Sequence, residues 1–176
     1  MSHFLRISSS KPSATDIFVI HVMTIIDDMG PEETLIIRDM KAEDYDALVH
    51  LWRLAGFPFN ADGRDSRRHI EEELRTPMAS FLVAESKGRI IDSLLGTTDG
   101  RKGWINRLAI HPEWQGKGVA LALLREFECR LERKGLRIFS ALVNCDNERS
   151  RKLLERAGYV ADMHVIYYSK RLGKDA

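Results

Sequence analysis

Residues 104–134, WINRLAIHPEWQGKGVALALLREFECRLERK, hold a short apolar run, a glycine-containing turn and a long amphipathic segment, in that order. The apolar run reaches His111-Pro112, where proline removes a backbone donor and biases its predecessor toward extended geometry, so a strand should stop there. From Ala120 the apolar positions Ala120, Leu123, Leu124, Phe127 and Leu131 follow the spacing of one buried helix face. Arg125, Glu126, Glu128, Arg130, Glu132 and Arg133 fall largely off that line. Gly135 supplies the stop, after Arg133-Lys134, whose charge suits a helix C-terminus.

Between strand and helix, Gln115-Gly116-Lys117-Gly118-Val119-Ala120 puts two glycines at the first helical turn, where backbone N–H groups can approach a ligand with no Cβ in the way. Unsatisfied N–H groups and the positive end of the dipole attract phosphate, and Lys117 adds a full charge. Two familiar phosphate turns fail on the letters. A Walker turn needs Ser or Thr after Gly-Lys, and Gly118 stands there. A dinucleotide fingerprint needs glycine or alanine where Leu121 stands. What the letters do match is Gln-x-x-Gly-x-Ala after Leu108-Ala109-Ile110-x-Pro112, which strongly resembles the acetyl-CoA pyrophosphate loop and preceding strand end of the GNAT N-acetyltransferase superfamily.

Composition fits that resemblance. The 176 residues suit one domain able to bury a substantial core. Lys and Arg number 27 against 26 Asp and Glu, so no global basic field recommends a nucleic acid as partner. Cys129 and Cys145 make no disulfide framework, and the six histidines show no metal-ligand spacing, so a reducing cytoplasm and no metal are the expectation.

Residues 1–34 read as an N-terminal extension to a domain spanning 35–176. Ser8-Ser9-Ser10 and Pro12-Ser13 are loop-like, and Ile17 to Ile26 is apolar and β-branched. That run is too short to span a bilayer, and Asp27-Asp28 follow it in place of a small-residue cleavage site, so no membrane is expected. It reads as an extra strand or as an arm toward a second subunit, with Met23 and Met29 open as alternative starts.

Leu35 to Arg38 then make a first strand, and Leu48, Leu51, Trp52 and Ala55 mark a helix; this opening also resembles the start of the GNAT fold. Gly56 to Gly63 is a loop with two exposed-looking aromatics, Phe57 and Phe59, and Asp65 to Thr76 a charged helix stopped by Pro77. Ser80 to Ser86 and Arg89 to Thr97 are strands joined at Lys87-Gly88, and Asp99-Gly100 turns into the strand ending at Ile110. Asp92, where the superfamily often has glycine, reads as an edge or outward-facing position. Arg137 to Asn144 should be a strand, Asn147 to Arg156 a helix ended by Gly158, and Tyr159 to Arg171 a final strand or strand pair. Asn147-x-x-Ser150-x-x-Leu153-Leu154-x-x-Ala157-Gly158-Tyr159 resembles the superfamily's second conserved segment, so the resemblance covers about residues 35–171.

The resemblance implies an α/β GNAT fold, a mixed and mostly antiparallel sheet flanked by helices, with acetyl-CoA as co-substrate. It implies that the strand ending at Ile110 and the one from Arg137 splay apart. The pantetheine arm would fill the gap like an added strand, the pyrophosphate would lie on Gln115 to Ala120, and the thioester carbonyl would sit near the N–H groups of Leu108, Ala109 and Ile110. Asn147 would contact the arm, with Ser150 close by. No catalytic residue is assigned: Leu154 stands where many members carry a tyrosine acid, and Trp104 and Leu142 stand where some branches carry a glutamate base. Asn106, Glu113, Tyr167 and Tyr168 are the polar groups nearest in sequence. Cys145 reads as buried filler rather than a nucleophile.

The activity expected is acetyl transfer to an amine by direct attack, without the usual tyrosine, on a small-molecule or protein acceptor. A non-catalytic acyl-CoA sensor is the alternative. Arg64, Arg67 and Arg68 with Glu71, Glu72 and Glu73 read as a solvated face of mixed charge, and a homodimer stays open.

Overall fold

Alternation along the central strands decides which helix covers which face of the sheet. The computed structural model describes residues 6–7, 21–25, 33–170 and 172. Among these residues seven strands follow in chain order across one sheet: β1 (Arg6–Ile7), β2 (His21–Ile25), β3 (Glu33–Asp39), β4 (Ala79–Ser86), β5 (Arg89–Thr98), β6 (Gly103–Ile110) and β7 (Phe139–Ala141). Neighbours are antiparallel except β6 and β7, which run parallel because a helix returns the chain between them. The described residues also form four α-helices: α1 (Tyr45–Leu54), α2 (Arg67–Leu74), α3 (Val119–Arg133) and α4 (Glu148–Arg156).

Leu82, Ala84, Leu94 and Ile105 point to one face and pack with Leu123, Phe127 and Leu131 of α3. Phe81, Val83, Leu95 and Ala109 point to the other, against Tyr45, Leu48, Trp52 and Ile70. The buried stripe read from the sequence of α3 is the observed one, with Ala120, Leu123, Leu124, Phe127 and Leu131 all buried. Each fully buried side chain of that size contributes roughly 1.5–3 kcal/mol. Small residues set how close α3 lies: a Cβ at Gly96 of β5 would come within 2.2 Å of the Phe127 ring, and one at Gly103 of β6 within 2.5 Å of Leu131. The Lys87-Gly88 hairpin takes left-handed angles at both residues, φ 49° and 74°, the geometry of a two-residue turn matched to strand twist.

Several expectations need correction. Asp92 is neither at an edge nor outward-facing; β5 lies between β4 and β6 with both faces covered, so the carboxyl is fully buried. The strand expected over Arg137 to Asn144 shrinks to Phe139–Ala141, because its ladder with β6 lasts only three residues. Cys145 therefore falls in the loop before α4 and is exposed, not filler. No strand forms over the described part of Tyr159 to Arg171; from Val160 to Lys170 every residue is exposed, and apolar side chains at alternate positions on both faces find no cover in the chain itself. Phe57 and Phe59 are half-buried, tilted against Trp52 at ring distances of 6.2 and 5.8 Å. Glu126 is buried on α3, where Arg130 donates to it at 2.6 Å.

At the N-terminus, β2 pairs with β3 of the same chain, His21 opposite Ile37 and Ile25 opposite Glu33. The serine- and proline-containing loop expected at Ser8–Ser13 lies outside the described residues. No helix among the described residues is long and apolar enough to cross a membrane.

Candidate active site

The turn before α3 is built by short-range hydrogen bonds that use the donors of Glu113, Trp114, Gln115 and Lys117. Pro112–Trp114 forms a single tight helical turn, entered by His111, whose Nδ1 accepts from the Glu113 N–H at 3.3 Å. Gln115 N–H returns to the Pro112 carbonyl at 3.3 Å, and Trp114 packs its ring against the α3 side of the core. Gly116 and Gly118 then adopt φ 79° and 83°, left-handed angles that cost an L side chain about 1–2 kcal/mol. Gly118 is the N-cap of α3 and supplies no side-chain acceptor. The N–H groups of Val119, Ala120 and Leu121 therefore have neither a helical partner nor a capping group, and they present the positive end of a 15-residue helix. Lys117 lies over the Trp114 ring, its Nζ 5.0 Å from the centroid, so its charge stays beside the turn.

The start of α4 meets this turn. Asn147 caps α4, its Oδ1 accepting from the Ser150 N–H at 3.1 Å. Arg149, in the first turn of α4, donates to Gln115 Oε1 at 2.6 Å. Two helix N-termini and two cations, Lys117 and Arg149, thus share one corner of the molecule. Arg149 escaped the sequence reading. A cation in a first helical turn opposes the helix dipole, and that anomaly was the available signal.

Beside this corner the sheet opens. β6 and β7 pair only at Gly103 with Phe139, Trp104 with Ser140 and Ile105 with Ala141. Past Ile105, the residues Leu108, Ala109 and Ile110 keep their β5 partners Leu94, Ser93 and Asp92 but have none on the β7 side. The splay implied by the resemblance is present, and its unpaired backbone groups need an acceptor or donor from outside the sheet.

On the α1 side, Arg107 anchors the loop between α1 and α2. Its guanidinium pairs with Asp65 at 2.6 Å, donates to the Pro58 carbonyl at 3.1 Å and lies 5.2 Å from the ring centroids of both Trp52 and Phe57. Asp65 also accepts from the Asn60 N–H at 2.7 Å, and the Tyr45 hydroxyl donates to the Asp65 carbonyl at 2.8 Å. Burial holds the Arg107 pKa below its ordinary value, against the pull of Asp65. The loop is thereby fixed next to Leu108. The Arg107 role also escaped the sequence reading, since its partners lie more than forty residues away.

The remaining polar candidates are scattered. Asn106 donates to Thr97 Oγ1 at 2.8 Å, and Glu113, Tyr167 and Tyr168 are exposed. Trp104 Nε1 donates to Asp99 at 3.2 Å; backbone N–H groups of Lys102 and Arg101 hold that carboxyl low, at about 2. Leu154 packs half-buried against the core and Leu142 is exposed. The Tyr159 hydroxyl donates to Glu128 Oε1 at 2.7 Å, and burial together with that carboxylate raises its pKa. No group of three or more His, Cys, Asp or Glu able to hold a metal occurs among the described residues.

Comparison with known proteins agrees with this geometry. The sequence model of the acetyltransferase (GNAT) family matches residues 45–159. A curated relative, Acetyltransferase SG1711 of Sodalis glossinidius (strain morsitans), is 30% identical over 141 residues, covering 79% of this chain and 96% of that protein. Among solved structures, aminoglycoside N-acetyltransferase AAC(6')-Iy in complex with CoA superposes with a TM-score of 0.66 at 20% identity, over 83% of this chain and 99% of that one. AAC(6')-Ih from Acinetobacter baumannii gives 0.67 at 17% identity, over 79% and 99%. PaiA N-acetyltransferase from Thermoplasma acidophilum, in complex with coenzyme A, gives 0.64 at 19% identity, over 69% and 87%. With its glycine turn, its splayed strands and these relatives in agreement, the chain belongs to the GNAT acetyltransferase family.

Proposed function

We propose that the protein transfers an acetyl group from acetyl-CoA to an amine, within a domain spanning 35–176 that carries residues 1–34 as an extension. The observation that carries this reading is the uncapped N-terminus of α3 beside the opened β6–β7 ladder. The fit is chemical. N–H groups of Gly116, Gly118, Val119 and Ala120 suit a pyrophosphate, with Lys117 and Arg149 as cations. The unpaired strand groups of Leu108, Ala109 and Ile110 suit the amides of a pantetheine arm, and the amide nitrogen of Asn147 remains to donate while its oxygen caps α4. Acetyl-CoA brings an acyl group already activated as a thioester. The chain's contribution is to hold that carbonyl beside the strand N–H groups and to orient the acceptor through the loop pinned by Arg107.

Leu154, Trp104 and Leu142 supply neither acid nor base, so the acceptor's own pKa governs the rate. An amine of pKa near 10.4 is neutral in under roughly one molecule per thousand at pH 7, whereas one near 7.7–8.0 is neutral in roughly 10–20%. Low-pKa amines, of small molecules or of protein N-termini, are the acceptors expected, in the cytoplasm where acetyl-CoA is made. Release of free thiol from acetyl-CoA against a panel of amines tests this. Turnover should rise with pH in step with deprotonation of the amine. A steep enzyme pKa below 7 on a high-pKa amine would contradict direct attack. The half-buried Leu154 favours one further reading, a sensor that binds acetyl-CoA and consumes none; cofactor binding with no turnover on any amine would support it.

A further inference from the structure

Asn106 stands where β6 changes phase. The ladder with β5 pairs Ile105 with Gly96 and Arg107 with Leu95, so Asn106 is an extra residue with no partner of its own, a β-bulge. The donors on either side of it show the slip. Before the bulge, the Gly103 N–H points toward β7 and donates to the Ile138 carbonyl at 2.9 Å. Beyond it, the His111 N–H points toward β5 and donates to the Ile91 carbonyl at 2.8 Å. Both positions are odd-numbered, so the alternation has shifted by one between them, and the N–H groups of Leu108 and Ile110 face the open edge.

The same shift puts Asn106 on the face of Arg107. Arg107 lies against Trp52 of α1, and Asn106 Nδ2 donates to Thr97 Oγ1 at 2.8 Å, two positions along β5 from Leu95, which packs on the α1 side. An amide carries its nitrogen and oxygen on opposite arms, so the nitrogen bound to β5 leaves Oδ1 turned away from that strand. Asn106 is exposed, and its Oδ1 accepts no hydrogen bond among the described residues. The pairing of β6 with β7 ends at Ile105 and Ala141, so this carbonyl oxygen stands at the mouth of the opening, on the face bordered by the loop that Arg107 pins. Roughly 6–7 Å of strand separate Asn106 from Leu108, room for a thioester carbonyl on the Leu108 N–H and an amine on the Asn106 oxygen.

We propose that the side-chain carbonyl of Asn106 holds the acceptor amine, accepting a hydrogen bond from one N–H so that the nitrogen lone pair faces the thioester carbon. The proposal rests on the reading of the protein as an acetyl-CoA-dependent amine acetyltransferase, and names the group that aligns the acceptor. The lone pair forms the N–C bond while the carbonyl electrons move to the oxygen beside the Leu108 N–H. As that carbonyl re-forms, the C–S bond breaks and its electron pair leaves on sulfur; the nitrogen gives one proton to water, and the sulfur takes one back. Asn106 takes no proton. Its hydrogen bond strengthens as the nitrogen becomes positive, which favours the transition state over the bound amine.

Thiol release from acetyl-CoA with amine panels, beside calorimetric titration of acetyl-CoA, tests this. Asn106→Leu keeps the size and removes the oxygen, so kcat should fall roughly 10–100-fold while acetyl-CoA binds as in the wild type. Asn106→Asp restores an acceptor oxygen, since the Thr97 hydroxyl can donate to the other one, and should regain most of the loss; a bulge that served only the fold would show no such rescue. Asn106→Leu at the wild-type kcat, or Asn106→Asp no faster than Asn106→Leu, overturns the proposal and leaves the acetyltransferase reading standing. A wild type that binds acetyl-CoA and releases thiol with no amine overturns both. Asn106→Ala repeats the measurement should Asn106→Leu fail to fold.

Discussion

Asp92 is a fully buried carboxyl whose oxygens accept no well-formed hydrogen bond among the described residues, and burial pushes its pKa well up against the weak opposing effect of the Ser93 amide. The unfolded chain ionises near 3.9, so below that pH both states hold the proton and the residue costs little. As pH rises, the unfolded state loses its proton first, and stability falls until the folded carboxyl ionises as well. Asp92→Asn should therefore gain stability over the wild type with rising pH, reaching about 1–3 kcal/mol near neutrality. Urea midpoints of both proteins at acid and neutral pH measure this, and a gap that does not widen would show that Asp92 is solvated. At Arg107 the sign is opposite. Arg107→Met strands the buried Asp65 carboxylate and should cost about 3–5 kcal/mol, with part regained in the double variant with Asp65→Asn. Equilibrium urea unfolding of the single and double variants reads both numbers.

Among the elements, α3 and its turn were the most legible in the sequence, because periodicity, proline and glycine act over a few residues. The hairpin at Lys87-Gly88 and the cap at Asn147 were legible for the same reason. What stayed hidden was set across the chain. Arg149 reaches Gln115 over 34 positions, and the length of β7 depends on where β6 parts from it. Asp92 was misplaced because a polar letter in a strand suggests an edge, while strand order put it at the centre. Arg149→Ala should weaken acetyl-CoA binding by roughly 3–10-fold, the loss of one charged contact. Stability should stay within about 0.5 kcal/mol, since the side chain is exposed. Calorimetric titration with acetyl-CoA checks the first figure and urea unfolding the second. On β5, Gly96→Ala drives a Cβ into the Phe127 ring of α3 and should cost about 1–3 kcal/mol, read from the same unfolding curves.

For the whole molecule, the sheet is closed over by α1 and α2 on one face and α3 on the other, and it is left open where β6 and β7 part. The helix N-termini of α3 and α4 converge at that opening. Family membership rests on sequence and fold together, while the site rests on this convergence. Its most direct test is the thermal midpoint of the protein with and without acetyl-CoA, beside the same pair for Gly118→Asp. Ligand at about 100 times its Kd adds about 2.7 kcal/mol to the native state. In a chain of this size that should raise the wild-type midpoint by roughly 5–10 °C. Gly118→Asp sets a carboxylate and a strained φ at the N-cap of α3, and its midpoint should not move with ligand. A wild type whose midpoint ignores acetyl-CoA, or a variant that responds as fully as the wild type, would contradict the assignment of this turn as the cofactor site.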